Sequence, residues 1–375
     1  MEKAFDRVSW KLILGGMEKL GFGEEMISLV RMLYDLNDPP QRRILVNGKA
    51  GQYFPIKSGV AQGCPLSPLL FLICAEVVIR LAKKNLKGIK VGNRRFQVSA
   101  FADDTVMFLN GIKDLRKVQM ILRRYGEATG MKANLKKTEG LALGTARDLA
   151  PLHSEVIGRD QSAKEGDVIV SLGVPFGNAI DENSFWMSKY VKMKARISAW
   201  KSVRCRTQKG RILLSKMFVW SRFRYWNQSM IMPVEVLNAI QSDVDVLTWA
   251  KDPEFRPDEV GSTNKIRRWM NDKAAFIPWG RGGLGMLNYK EHVRALNARW
   301  ALRYLDASTA PYKHVLDVYF KNEWAYERGV LLSTVPTSEI LETLPNMVGF
   351  DYWRSVVRSF RQVGTKPMNI KKMLA

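Results

Sequence analysis

The sequence predicts an α+β fold for the first part of the chain and an all-helical fold for the rest. Before residue 180, short apolar segments flank turn residues at several places, a pattern typical of β-hairpins, and helical segments lie between them. The composition then changes, because residues 183–234 contain 12 Lys or Arg and no Asp or Glu. We therefore expect an antiparallel sheet with helices on one face, followed by helices.

The overall composition is that of a globular protein with a polyanionic partner. Hydrophobic residues make up 46% and charged residues 25% of the 375 residues, which excludes disorder as the main state. Lys and Arg number 59 against 36 Asp and Glu, and the net charge of +23 favours nucleic acid or a membrane surface as the partner.

Three classes of protein are excluded by features that the sequence lacks. No segment approaches about 18 uninterrupted apolar residues, so we expect no membrane span. The first residues carry no apolar signal core, so we do not expect secretion. The three cysteines form no Cys-x-x-Cys pair and the three histidines are scattered, so we expect neither a disulfide framework nor a zinc site.

Glycine and asparagine divide the start of the chain into elements. Apolar residues recur at helical spacing over 5–34, and Gly21-Phe22-Gly23 separates this stretch into two helices. Asn47-Gly48 predicts a tight hairpin turn between strands at 43–46 and 53–56, because both residues tolerate a positive φ.

A buried helix and a second hairpin follow. Pro65 and Pro68 mark the first turn of an apolar helix that ends near Lys84, since proline lacks the N–H that a helix leaves unpaired there. Val, Phe and Ala surround Asp103-Asp104, which predicts a strand, a tight turn and a strand over 96–109. Further expected elements are a helix at 114–129, a strand at 139–143, a loop at 144–166 and a hairpin at 168–175.

The basic stretch at 183–234 predicts two long amphipathic helices. Nine aromatic residues are interleaved with its cations at helical spacing. Further helices and loops, with a Gly-rich turn at 280–285, complete the chain.

Two local patterns point to phosphate chemistry. Adjacent carboxylates such as Asp103 and Asp104 at a hairpin tip can converge on divalent metal ions that bridge phosphate oxygens. The alternative is an ordinary turn, because a chain of this length contains about one Asp-Asp pair by chance. The loop at 59–65 places glycines and the Gln62 amide at a helix N-terminus, which favours anions; the alternative there is a proline-capped core helix.

The chain order of these segments, with a further one at 130–138, is one that chance rarely supplies. The series resembles the reverse transcriptase of LINE-type retrotransposons, which lack long terminal repeats. The matching segments are Glu2-Lys3-Ala4-Phe5-Asp6 as the end of the first motif, Gln62 to Pro68 as the second, Phe101 to Asp104 as the third, Gly130 to Thr138 as the fourth, Ser171 to Pro175 as the primer-contacting hairpin, and Pro278 to Leu287 as a segment that often follows the thumb.

The resemblance implies an RNA-directed DNA polymerase. Its substrates would be deoxynucleoside triphosphates, its cofactor Mg²⁺ or Mn²⁺, and its partners an RNA template and a DNA primer. We would then expect an intracellular protein, in the nucleus or in a cytoplasmic ribonucleoprotein. The implied regions are a palm at 1–166, a primer-grip-like hairpin at 167–182, a basic helical thumb at 183–255 and a helical region at 256–375.

The resemblance also implies roles for individual residues. Asp103 and Asp104 would hold the catalytic metal ions, and Phe5 would lie against the incoming sugar, unless it is an ordinary core aromatic. Gln62 and Gly63 would contact the nucleotide, and Lys137 would lie near the triphosphate, unless it is simply a solvated lysine. The residues expected on the primer and on the duplex backbone are Leu172, Gly173, Lys192, Arg196, Arg204 and Lys209.

One feature of the family pattern is missing. In the family, an aspartate that bridges the metal ions stands two positions before the Glu of the first motif, whereas this sequence begins at Met1, one position later. That aspartate, its strand and the fingers region are absent, so we expect the isolated chain not to extend a primer. Two interpretations follow: an enzyme domain of a longer element, or a non-catalytic nucleic-acid-binding remnant of a degraded one.

Overall fold

A computed structural model provides the structure of the protein. It describes residues 5–131, 133–134, 137–142, 162–163, 168–177, 180–199, 207–250, 266, 268, 270–323 and 350–363. The chain divides into two compact units, Met1–Ile180 and Asp181–Ala375.

Two helices open the first unit, as predicted. Helix α1 spans Trp10–Leu20 and begins at Ser9, whose side chain accepts a hydrogen bond from the Leu12 N–H. It ends at Gly21, whose φ of +79° belongs to the left-handed region. Helix α2 spans Glu24–Leu33. The predicted break at 21–23 is therefore confirmed, and it has the usual form of a glycine cap.

The predicted Asn47-Gly48 turn is confirmed, but one of its strands was misassigned. Four strands form this region: β1 Gln41–Arg42, β2 Leu45–Val46, β3 Lys49–Ala50 and β4 Phe54–Pro55. The two turn residues have φ values of +49° and +79°, so Val46 pairs directly with Lys49. Strand β4 pairs instead with β1. A two-residue turn fixes the register of the residues that adjoin it, which the expected pairing of 43–46 with 53–56 ignored.

Two long helices and four strands form the rest of the first unit's core region. They are α3 Ser67–Asn85, β5 Ile89–Val91, β6 Arg94–Phe96, β7 Val98–Phe101, β8 Asp104–Met107 and α4 Ile112–Thr129. Trp10 and Met17 of α1 are buried in one cluster with Phe71 and Cys74 of α3. Tyr125 of α4 joins the same cluster and donates a hydrogen bond to the Cys74 carbonyl over 3.0 Å. Val98 of β7 and Met107 of β8 pack against a cluster of residues from α3 and α4, so these two helices support the β7–β8 hairpin.

The strands are consistent with an α+β class, but the expected continuous sheet is not observed. Among the described residues, each strand of this unit pairs with a single partner, in ladders of two strands. The strands are only two to four residues long, and most pair with their neighbour across a turn. Two strands, β9 Gly140–Leu141 and β10 Ser162–Ala163, pair in parallel, so the loop expected over 144–166 is wrong at 162–163. The last hairpin joins β11 Val168–Ser171 and β12 Val174–Gly177, as predicted.

All regular secondary structure in the described residues of the second unit is helical. Its elements are α5 Glu182–Ala199, α6 Gln208–Leu214, a π-helical turn Ser215–Trp220, α7 Ser221–Trp226, α8 Val234–Trp249, α9 Asp272–Phe276, a 3₁₀ turn Trp279–Arg281, α10 Tyr289–Leu305, α11 Pro311–Glu323 and α12 Phe350–Val363. The two helices expected over 183–234 are thus present, and the second contains a π-helical turn.

Within the described part of the chain, no helix combines the length and the apolar character needed to cross a bilayer.

Candidate active site

Residues 58–63, which include the start of the second motif, are joined by hydrogen bonds to the end of the first motif and to the segment that follows it. The Val60 N–H donates to the Phe5 carbonyl and the Gly59 N–H to the Val8 carbonyl, each over 2.8 Å. The indole N–H of Trp10 donates to the Gly59 carbonyl over 2.7 Å. Two segments that lie about fifty residues apart are therefore held as one backbone assembly.

Gly59 makes this close approach possible. Its φ is +85°, and a Cβ added there would lie 2.7 Å from the Asp6 carbonyl oxygen. Only glycine tolerates both the backbone conformation and the contact. On the exposed side of the loop, the Gln62 amide donates to the Asp6 carboxylate over 3.4 Å. Gln62 thus lies beside the end of the first motif.

Phe5 lies at the margin of the core. Its ring stacks on that of Phe71, with centroids 5.2 Å apart and an interplanar angle of 23°. The side chain is only partly buried. Phe5 is therefore anchored by a core residue without being enclosed, which leaves both the sugar-contacting and the core interpretations open.

The start of α3 has the glycine and the proline where the sequence predicts them. Gly63, with a φ of +87°, leads into the helix, and Pro68 lies in its first turn. The Ser67 hydroxyl donates to the Ala61 carbonyl over 2.6 Å and so closes the loop onto the helix. The backbone N–H of Leu66 lowers the pKa of the Cys64 thiol from its ordinary value, because it stabilises the thiolate.

Asp103 and Asp104 lie at the tip of the β7–β8 hairpin. Phe101 pairs with Asp104, which leaves Ala102 and Asp103 as the two turn residues. Ala102 has a φ of +52°, a conformation that costs a non-glycine residue about 1 kcal/mol or more. Both aspartates are exposed. The predicted strand, turn and strand are confirmed, and neither carboxylate lies in a helix.

The donor groups at this tip fit a magnesium ion. Mg²⁺ prefers oxygen ligands and is commonly held by one or two carboxylates together with substrate phosphates. Asp103 and Asp104 supply two carboxylates. In the residues that the structure describes, no group of three His, Cys, Asp or Glu side chains converges on a common point. Glu2 of the first motif lies outside those residues.

Asp114 supports the hairpin and was missed by the sequence analysis. Its buried carboxylate accepts hydrogen bonds from the backbone N–H groups of Lys87, Gly88 and Asn110, over 3.1, 2.9 and 3.0 Å. Burial alone would raise the pKa of Asp114, but these three donors hold it below its ordinary value. Asp114 thereby joins the start of α4 to the segments that enter β5 and leave β8.

The fourth motif begins at the end of α4. Gly130, with a φ of +74°, caps that helix, and Met131 is buried beside Tyr125. Lys137 follows on an exposed turn, where its backbone N–H donates to the Asn134 carbonyl over 3.1 Å. The structure therefore places Lys137 on the surface, as either interpretation of this residue requires.

Leu172 and Gly173 form the turn of the β11–β12 hairpin. Their φ values of +49° and +77° are those of a two-residue hairpin turn. Leu172 is 45% exposed although it is apolar and lies in a conformation that disfavours side chains. An exposed leucine in such a turn is unusual, and its side chain is accessible to a binding partner.

The basic stretch does not act as a uniform cationic face. Lys192 and Arg196 are exposed on α5, one turn apart, and Lys209 is exposed on α6. Lys194, by contrast, is buried, and its ammonium lies 3.8 Å from the Asp243 carboxylate, an acid outside the stretch. Burial raises the pKa of Asp243, although this ammonium and a hydrogen bond from Tyr190 oppose the shift.

A second cation of the stretch also has a structural role, because the Arg211 guanidinium donates to the carbonyls of Leu247 and Ala250 at the end of α8. Lys194 and Arg211 therefore make contacts within the protein. The composition of a segment does not show which of its cations will pair with an acid, or with carbonyl groups at a helix end, elsewhere in the chain. Arg204, predicted to contact the duplex, lies outside the described residues.

Comparison with known proteins relates the first unit to a protein family. Residues 1–176 match the family model of reverse transcriptase, described as RNA-dependent DNA polymerase. This part of the chain is therefore similar to reverse transcriptases. The match ends at the last predicted hairpin and covers all the predicted motif segments except the Gly-rich segment near residue 280.

Two of the similar proteins carry the names of transposable elements. The chain is 24% identical over 318 residues to the transposon TX1 uncharacterized 149 kDa protein of Xenopus laevis, over 83% of this chain and 22% of that protein. It is 29% identical over 146 residues to the Pol polyprotein of the retrotransposable element R2 of Popillia japonica, over 39% of this chain and 24% of that protein. An uncharacterized mitochondrial protein of Arabidopsis thaliana, AtMg01250, is 37% identical over 68 residues, which are 16% of this chain and 56% of that protein. The chain thus spans about a quarter or less of the first two relatives.

Proposed function

We propose that the chain is the polymerase part of a retrotransposon protein and that it acts in RNA-templated DNA synthesis. The observation that carries the proposal is the Asp103-Asp104 pair, which lies exposed at a hairpin tip within the residues matched by the reverse transcriptase family. The reaction is the addition of a deoxynucleotide to a primer 3′-hydroxyl.

Asp103 and Asp104 would hold the Mg²⁺ ions of this reaction, and Mn²⁺ is a chemically similar alternative. When bound, such ions neutralise the phosphate charge and align the attacking hydroxyl with the leaving pyrophosphate. The protein's part is to keep the two carboxylates fixed and exposed. Asp114 does this indirectly, because it ties both ends of the β5–β8 segment to the start of α4.

Phe5 and the loop before α3 would form the nucleotide site. The ring of Phe5 cannot move away freely, because it stacks on Phe71 and its carbonyl accepts from Val60. A fixed ring beside the sugar would exclude a 2′-hydroxyl and so select deoxynucleotides. Gln62 and Gly63 lie at the anion-favouring start of α3, where they would contact the nucleotide, and Lys137 would approach the triphosphate.

The nucleic acid would lie along the later elements of the chain. The Leu172-Gly173 turn would contact the primer, and the exposed cations of the basic stretch would bind the backbone of the RNA/DNA duplex. These cations are Lys192, Arg196, Arg204 and Lys209. The regional assignment of palm, hairpin, thumb and C-terminal helical region follows the same proposal.

Primer extension tests the proposed function. A DNA primer on an RNA template would be incubated with Mg²⁺ and deoxynucleotides, using the 375-residue chain and a longer polypeptide that carries an aspartate two positions before Glu2. We expect extension by the longer polypeptide, lost on Asp103→Asn and kept on Asp38→Asn, a matched exposed acid. If the longer polypeptide binds the duplex but never extends it, the non-catalytic remnant is the correct interpretation.

A further inference from the structure

The Gly-rich segment at 277–285 forms a closed turn in the second unit, outside the residues matched by the reverse transcriptase family. The Gly285 N–H donates to the Ile277 carbonyl over 2.8 Å and closes the turn. Inside it, the Arg281 N–H donates to Pro278 over 2.9 Å, and the Gly282 N–H donates to Trp279 over 3.0 Å. The backbone around Trp279 is therefore fixed by its own hydrogen bonds.

Close backbone packing and hydrophobic burial also hold this turn in place. A Cβ at Gly283 would lie 2.0 Å from the Ile277 carbonyl oxygen, so no other residue fits there. The side chains of Leu284 and Met286 are buried in one cluster with Ile212 of α6. The turn is thus mounted on a hydrophobic core, and its outer residues are held in a defined position.

Trp279 is the exposed side chain of this turn. It is 47% exposed and is the only tryptophan among the described residues that belongs to the exposed class. Exposing an indole on a rigid turn gives up the favourable burial that a tryptophan usually provides. Such a side chain is suited to binding a partner with little loss of conformational entropy.

One ammonium group lies over the indole, and a second lies near the adjoining Gly285. The Lys209 Nζ is 4.8 Å from the centroid of the Trp279 ring, within the range of a cation–π contact. The Lys216 Nζ lies 3.7 Å from the position that a Cβ on Gly285 would occupy, and the same position is 3.1 Å from the Trp279 ring. Lys216 belongs to the π-helical turn, a distortion that is frequent at functional sites.

We propose that Trp279 is a stacking platform for one base of single-stranded RNA and that Lys209 and Lys216 bind the phosphates on either side of that base. Aromatic rings bind bases of any sequence through their faces, while neighbouring cations bind the backbone. The two ammonium groups favour a phosphate-bearing ligand over an uncharged apolar surface. This site would hold an unpaired strand. It would give Lys209, which the proposed function assigns to the duplex backbone, a second role beyond duplex binding.

Base-containing and abasic RNA distinguish stacking from charge. Fluorescence anisotropy would measure the affinity of the full chain for a labelled 12-nucleotide RNA and for the same backbone with abasic positions. We expect the parent to bind the normal strand at least about fivefold more tightly than the abasic one, since one stacked base contributes a factor of roughly five or more. Trp279→Leu should bind both strands equally, at the level of the parent's abasic complex.

The controls separate the platform from general effects. Tyr225→Leu removes an aromatic side chain of the same 47% exposure in the same unit, and it should keep the preference for normal RNA. The double variant Lys209→Gln with Lys216→Gln should flatten the salt dependence by about two phosphate contacts. Hydrogen exchange of peptides over 275–286 would show that each variant keeps the turn.

The proposal is wrong if Trp279→Leu weakens normal and abasic RNA alike, or if it changes neither. It is also wrong if the parent binds the two strands equally. None of these measurements requires catalysis, so failure of the primer-extension test leaves them unaffected.

Discussion

Replacing Gly59 with alanine should separate the second motif loop from the segment after the first motif. Gly59 has a φ of +85°, and an added Cβ would lie 2.7 Å from the Asp6 carbonyl oxygen and 2.9 Å from two further backbone atoms of Asp6. Contacts this short with backbone cannot be relieved by a side-chain rotation. The loop must therefore move away from residues 5–10.

The size of the effect follows from three contributions. An alanine in the left-handed region costs about 1–2 kcal/mol. Moving the loop also breaks the hydrogen bonds from Gly59 to Val8 and from Trp10 to Gly59, each contributing about 0.5–1.5 kcal/mol. We expect the free energy of local opening to fall by about 3 kcal/mol in total.

Gly63 provides the matched control. Its φ is +87° in the same loop, but nothing lies within 4 Å of a Cβ added there. Gly63→Ala should therefore show only the conformational cost, about 1–2 kcal/mol. Native-state hydrogen exchange of peptides from 5–20 and 58–66 would measure both variants within the first unit. Equal losses in the two variants would refute the docking of this loop on residues 5–10.

Two further perturbations test the support of the hairpin and the basic stretch. Asp114→Asn should cost about 1–3 kcal/mol at pH 7, because the amide cannot accept all three backbone hydrogen bonds. The pKa of Asp114 is depressed in the folded state, so its contribution is full above the ordinary value of 3.8 and is lost as the pH falls further. Hydrogen exchange at pH 7 and pH 3 should thus show a difference that shrinks in acid, and a constant difference would contradict this role. A quadruple replacement by glutamine should flatten the salt dependence of duplex binding by up to about four phosphate contacts without unfolding the chain, and an unchanged slope would show that these cations are merely solvated. Its positions are Lys192, Arg196, Arg204 and Lys209.

The features that the sequence predicted correctly depend on neighbouring residues. Asn47-Gly48, the Gly21 break and the Asp103 turn were found because a positive φ or a two-residue turn leaves a local signature. Helices α3 and α4 were found from apolar periodicity and, for α3, from Pro68 in its first turn. The motif order then predicted the similarity to reverse transcriptases that the match over residues 1–176 supports.

The features that were missed depend on partners far away in the chain. Strand β10 pairs with β9 about twenty residues earlier, and no local pattern at 162–163 indicates it. In the sequence, Asp114 resembles any acid near a helix start. Its carboxylate nevertheless accepts hydrogen bonds from the backbone N–H groups of Lys87 and Gly88, which lie 27 and 26 residues away. The burial of Lys194 against Asp243 was missed for the same reason, because a count of charges within one segment does not include an acid outside it.

Iron-directed cleavage tests most directly whether Asp103 and Asp104 form a divalent metal site. Fe²⁺ would replace Mg²⁺ in the presence of a deoxynucleotide and a primer–template, and peroxide would then cut the backbone close to the bound ion. We expect scission at the β7–β8 turn, which disappears when Asp103→Asn and Asp104→Asn are combined and persists in Asp38→Asn. Absence of cleavage at this turn, or cleavage that the double variant leaves unchanged, would contradict the assignment of the hairpin as the metal site.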